Sequence, residues 1–252
     1  MAVPGSNPNE LRAMHTHEAI AERIAGATQH SYLGDFVLGA VDGAVTTFAI
    51  VAGAAGAGLS SGVALVLGLA NVLADGLSMA AGNYLKARAD EQTIDRFRKM
   101  EERHIDEIPD GEREEIRQIF AGKGFDGAML EKVVTVITRD RKQWVDTMLT
   151  EEWGLPLETP RPIYSATATM TSFVVAGMVP LAPLFFYLGS NARQSFLLAS
   201  ILTATTFFAI GVVRGRLTER NAWLAGAETL VIGGIAAAVA YAVGALLEGT
   251  FV

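Results

Sequence analysis

Three pairs of residues in the middle of this chain have the types and spacing of divalent-metal ligands. Glu101 and His104 are three positions apart, as are Glu112 and Glu115, while Met148 and Glu152 are four apart. On an α-helix each pair projects from one face. Three helices packed together would aim carboxylates, an imidazole and a thioether at one volume, a set that suits Fe2+ or Mn2+ better than Zn2+. The acids are interleaved with Arg98, Lys99, Arg103, Arg113 and Arg117, so the spacing also fits a solvated face of ion pairs. Glu101-x-x-His104 is a single copy of the spacing that di-iron carboxylate enzymes use in duplicate, which keeps a ferroxidase open beside a metal sensor or a transporter.

A second set of carboxylates lies where charge is expensive. The stretch "DFVLGAVDGAVTTFAIVAG", Asp35 to Gly53, is apolar and small-residued apart from Asp35 and Asp42, which are two helical turns apart on nearly the same face. Further on, Asn71, Asp75, Ser78, Met79 and Gly82 form another polar or small stripe. Ionisable residues inside a membrane mark ion pathways or proton relays. An oxygen from Asp42 with sulfur from Met79 would disfavour Mg2+ and Ca2+. A structural carboxylate tied to helix backbone or a Thr hydroxyl is the alternative for Asp42, and for Asp75 and Glu228 still more so. Gly39 and Gly43 form a small-xxx-small pair suited to close approach of another helix, as in a dimer with the path between subunits. Met170 and Met178 read as packing residues.

The elements that must hold these residues follow from charge segregation. Ile163 to Ala192 and Gln194 to Val213 contain no Asp, Glu, Lys or Arg, and each is long enough to cross a bilayer. Phe36 to Gly58, Val63 to Leu85 and Ala222 to Leu247 are equally apolar but for Asp42, Asp75 and Glu228. The expectation is an all-α membrane protein with five transmembrane helices and a cytosolic three-helix module between spans 2 and 3. Its boundaries are an N-terminal tail over 1–34, spans over 35–85, the module over 86–162 and spans over 163–252. With five spans, all but Arg193 of the 20 Lys and Arg fall on one side, which places the N-terminus in the cytosol and the C-terminus outside it. No signal peptide or targeting feature is seen, which favours a bacterial inner membrane over a vacuole. Zero cysteines exclude disulfides and thiolate metal sites, and the net charge of −7 offers no basic patch for nucleic acid.

Within the module, "LKARADEQTIDRFRKMEERHIDEIP" reads as the second span continued into a polar helix, ended by Pro109 and a "PDG" turn. A short helix stopped by Gly122 and Gly124 follows. A third runs unbroken through "DGAMLEKVVTVITRDRKQWVDTMLTEEWGL" with Asp126 as N-cap. So small a module calls for packing against a second copy or the membrane face. "MHTH", with His15 and His17, reads as part of a disordered tail.

The combination of "GAVDGAVTTFAIVAGAAGAG", "ADGLSMAAGNYL", the acidic insertion with "IPD", "WVDTMLTEEWGL" and "GAETLVIGG" resembles the vacuolar iron transporter family, from His30 to Leu247. The resemblance implies a five-span homodimer in the lipid bilayer that moves Fe2+, and often Mn2+, out of the cytosol in exchange for protons, with metal as substrate and no organic cofactor. It implies that Glu101, Glu112, Glu115, Met148 and Glu152 are cytosolic metal ligands, with His104 where the family commonly has Glu. It implies that Asp42 and Met79 line the path. The family's Glu near the start of the first span falls on Ser31 here and its second-span Glu on Asn71, with His30, Asp35 and Asp75 as polar substitutes nearby.

Overall fold

A computed structural model describes residues 7–26, 31–186 and 192–248, all of it helical or connecting chain. Ten helices follow one another: α1 Pro8–Met14, α2 His17–Gly26, α3 Leu33–Gly56, α4 Ser61–Glu107, α5 Pro109–Gly122, α6 Gly127–Arg139, α7 Arg141–Glu151, α8 Pro162–Phe186, α9 Ala192–Leu217 and α10 Ala222–Leu247. Five of them, α3, α4, α8, α9 and α10, are long and apolar enough to cross a membrane. They match the five runs expected from charge segregation. Contacts divide the chain into two compact units, Leu85–Arg161 and the remainder, with the 47-residue α4 contributing to both.

In the membrane unit small residues let backbones touch. A Cβ on Gly39 would collide with Thr169 O and Ser172 Oγ, and one on Gly43 with Phe173 O, so α3 approaches the backbone of α8 closely. The close approach expected at Gly39 and Gly43 is made by α8 of the same chain, so this pair is not evidence for a dimer. Gly56 meets Tyr241 O and Gly244 meets Gly53 O in the same manner, joining α3 to α10. A core of Phe48, Val51, Leu65, Val72, Leu181 and Leu184 fills the space between helices, with Met178 packed against it. Met170 lies with its sulfur against Gly76, so both methionines serve packing.

The Leu85–Arg161 unit has its own apolar core, which includes Ile105, Ile116, Ile137, Trp144, Met148 and Leu149. Two expectations fail here for local reasons. The "PDG" sequence is not a turn: Pro109 opens α5 at its first position, where the missing N–H has no partner to lose. The reversal is made at Ile108 alone, which Pro109 keeps out of the helical region at φ −136° and ψ 54°. The third helix is also two helices. Asp140 breaks it with extended backbone, φ −106° and ψ 116°, and its carboxylate accepts the Gln143 N–H at 2.9 Å as the cap of α7. Asp126 does sit at the N-cap of α6, though without a side-chain hydrogen bond to it. The three-helix module is thus the end of α4 with α5, α6 and α7. His15 and His17 likewise fall at helical segments, at the cap of α1 and the start of α2, rather than in an unstructured tail.

Candidate metal centre and membrane path

The reversal at Ile108 brings the last turns of α4 beside the first turn of α5. Glu101 and His104 come from α4 and Glu112 from α5, and one donor atom from each lies within 4.8 Å of the others. His104 Nδ1 is 3.3 Å from Glu112 Oε1. Glu101 and Glu112 are each 1% exposed, and each has one buried carboxylate oxygen, Oε2, without a hydrogen-bond partner. A solvated face would leave these oxygens in water. Orphaned carboxylate oxygens in a buried site cost several kcal/mol as anions unless a cation or proton is supplied, about the scale of unpaired buried charge generally.

The protonation equilibria carry the same strain. Burial first, then the charges of Glu115 and Glu101, push the Glu112 carboxyl up to about 8. Burial, followed by Glu101 and Glu115, pushes Glu152 up to about 7. Glu115 is raised by burial and by Glu101, with His104 acting in the opposite sense. Glu115 and Glu152 therefore lie within electrostatic range of the Glu101, His104 and Glu112 donors. Met148 is wholly buried in the apolar core of the unit. Arginines do pair with acids nearby, as in Arg98 with Asp146 at 2.8 Å and Arg141 with Asp106 at 2.6 Å, but those acids are not the six expected ligands.

In the membrane unit two of the carboxylates, Asp35 and Glu228, have side-chain partners. Asp35 Oδ1 accepts a hydrogen bond from Asn83 Nδ2 at 2.9 Å, and the same amide donates to Thr169 Oγ1 at 2.7 Å, so α3, α4 and α8 meet at one polar knot. Asn83 is one turn beyond Met79 on the stripe that the sequence displays, and that spacing is the signal by which it could have been found. Asn71 Nδ2 donates to Thr46 Oγ1 at 3.3 Å, and Thr46 in turn donates to the Asp42 carbonyl at 2.8 Å. Asp42 and Asp75 are half-buried and close enough for their charges to interact. Met79 is half-buried on the same helix as Asp75, whereas Ser78 is exposed and Gly82 has open space around it. Glu228, on α10, is paired with Arg214 of α9. Ser31 is exposed, and His30 lies outside the described residues.

Fold and site together define a multi-pass membrane protein with a cluster of two buried acids and a half-buried imidazole in its Leu85–Arg161 unit. Comparison with known proteins gives the family. Residues 33–245 match the VIT family. The chain is 35% identical over 229 residues to the vacuolar iron transporter of Toxoplasma gondii (strain ATCC 50861 / VEG), covering 88% of this chain and 76% of that protein. It is 34% identical over 243 residues to vacuolar iron transporter 1 of Tulipa gesneriana, covering 96% and 97%. With vacuolar iron transporter 1 of Oryza sativa subsp. japonica the identity is 34% over 230 residues, covering 91% and 90%. The chain belongs to the VIT family.

Proposed function

We propose that this protein carries Fe2+, and Mn2+ with it, out of the cytoplasm in exchange for protons. The observation that carries the reading is the Glu101, His104 and Glu112 cluster, with two buried oxygens that lack partners. Its family is one of transporters, not of enzymes, which weighs against the ferroxidase reading. Glu101, His104, Glu112, Glu115, Met148 and Glu152 capture the ion from the cytosol. Carboxylates raised to about 7 and about 8 hold protons near neutral pH and give them up to a cation, so capture is itself a proton-for-metal exchange.

The path through the membrane uses Asp42 and Asp75, with Met79 as the soft donor and Asn71 beside them. Two carboxylates that feel each other's charge carry −2 together, which one divalent ion or two protons neutralise. Binding of the ion and of the proton are then mutually exclusive, which is the requirement for antiport. Asn71, already bonded to Thr46, orients the first helix against the second and leaves ion binding to the acids. Two copies form the functional unit. Apolar residues such as Phe36 and Leu38 on α3 and Leu73 and Leu77 on α4 are exposed in the single chain and supply surface for the second.

Purified protein in sealed vesicles tests the proposal. An imposed pH gradient should drive Fe2+ or Mn2+ uphill, with proton movement reported by an internal dye. Metal binding without flux would leave a sensor, and oxidation of Fe2+ without flux a ferroxidase; either result overturns the transport reading.

A further inference from the structure

The acid cluster has an orienting partner that is not itself a metal ligand. The indole N–H of Trp153 donates to Glu101 Oε1 at 2.9 Å. Glu101 Oε2 is the oxygen left buried and unpartnered. A carboxylate without such a tie turns about its last torsion and exchanges its two oxygens. With Oε1 held by the indole, Oε2 is the oxygen that remains available.

Trp153 reaches this position because of how α7 ends. Its backbone N–H bonds to Met148 O at 3.3 Å, the Leu155 N–H bonds to Leu149 O at 2.9 Å, and Gly154 between them takes φ +62°, a conformation that suits glycine. The ring packs on Phe97, one turn before Glu101 on α4, with centroids 4.7 Å apart and planes tilted by 47°. The same face of α4 thus supplies both the aromatic support and the carboxylate. An indole is a donor with no acceptor and no net charge. It orients Glu101 without cancelling the negative charge that a cation requires, which an arginine or lysine in its place would do.

We propose that Trp153 is a positioning residue for divalent-metal capture, fixing Glu101 so that its second oxygen faces the ion. The inference rests on the metal-capturing role proposed above for the acids. Outer partners that orient a ligand typically change metal affinity by about 10- to 100-fold. Trp153→Phe keeps a ring against Phe97 and removes the N–H. In calorimetric titration of the full-length, detergent-solubilised protein with Mn2+ at pH 8, this variant should bind about tenfold more weakly with the number of ions unchanged. In a Glu101→Gln background the same change should have no further effect, because the group it orients has already lost its charge. A general structural role would weaken both backgrounds alike. Trp153→Tyr retains stacking but cannot reach Oε1 with the same N–H, so it must weaken binding as well; it is the variant to read if the Phe protein unfolds at a lower temperature without metal. Wild-type affinity in both variants, or equal losses in the two backgrounds, overturns the inference. Glu112→Gln separates its failure from that of the parent reading. If Glu112→Gln weakens Mn2+ binding and the Trp153 variants do not, only the positioning role falls. If Glu112→Gln also binds normally, both readings fall.

Discussion

The two units treat their carboxylates in opposite ways. In the Leu85–Arg161 unit acids are crowded together, and Glu101 and Glu112 each retain a buried oxygen without a partner. In the membrane unit there is no such crowd among the described residues: Asp35 accepts from Asn83 through Oδ1 although its Oδ2 is likewise buried without a partner, Glu228 pairs with Arg214, and Asp42 and Asp75 lie close enough for their charges to interact. Crowding makes a strong attractor for a cation because each anion raises the others' need for one. Under the proposed function, single acids and one pair make weaker resting places, from which an ion can leave. A protein that must both collect a scarce ion and release it across a bilayer is served by this division.

The largest effect is expected where dispersal leaves least redundancy. Asp42→Asn keeps size and hydrogen-bonding capacity while removing the charge, so the protein should fold, yet metal-driven proton flux in vesicles should fall to background. Metal binding by the acid cluster should persist, and coupled flux at the wild-type rate would show that Asp42 is structural. Next comes Glu112→Gln, which removes one of the two carboxyls with an orphaned oxygen. Its Mn2+ affinity should drop by about 100-fold in the full-length protein, at or beyond the upper end of what outer-shell changes produce.

Acidity should act more gradually on the same cluster. Each proton displaced by the ion makes affinity rise by up to about tenfold per pH unit while the pH is below the group's own value. Mn2+ affinity should therefore climb between pH 6 and 8 and flatten above, following the carboxyls at about 7 and about 8. The stability consequence has the opposite sense. A carboxyl raised in the folded state adds stability that is complete below its ordinary value of 4.5 and is lost as pH rises through 7 to 8. Without metal, the unfolding temperature should fall from pH 6 to pH 9, and Mn2+ should restore it most at the alkaline end. A flat profile in calorimetry would mean that the acids are not coupled in solution.

The smallest change sharpens the contrast instead of breaking it. His104→Glu puts a further carboxylate in place of the imidazole whose Nδ1 is 3.3 Å from Glu112 Oε1, so crowding increases. Titration at pH 8 should show tighter binding or an additional ion, with a steeper dependence on pH than in the wild type. Unchanged affinity, stoichiometry and slope would place the His104 side chain outside the ion's reach.

Much of this arrangement is legible in the residues themselves. Two runs free of charge, and three interrupted by single acids, announce the spans because a bilayer tolerates little else. Glu101, His104 and Glu112 are recoverable because helical spacing puts the first two on one face and Pro109 forces a reversal before the third. The break at Asp140 is hidden because the apolar period of α6 continues into α7 through Trp144 and Met148. The signal was nonetheless present in Asp140-x-x-Gln143, a cap spacing inside a helical pattern. The glycine pair on α3 declared a close contact but not its partner; a small face fits α8 of the same chain as well as any other helix. Trp153 could not be read at all, since its role depends on how the chain folds back after α7.

The glycine contacts also bear on motion. Where Gly39 and Gly43 press on the carbonyls of α8, and Gly56 and Gly244 join α3 to α10, backbone rests directly on backbone. Such contacts have no side chains to rearrange, so sliding one helix past another would bring carbonyls into collision. α3 is therefore packed tightly on α8 and on α10. The glycine contacts of α4 are of another kind: Gly68 meets the end of the Leu181 side chain, and Gly76 meets the Met170 thioether and the Phe173 ring, while Asn71 and Asn83 tie the same helix to α3 and α8 by hydrogen bonds. α4 is thus held by polar ties and adaptable side chains, where α3, α8 and α10 are held by their backbones.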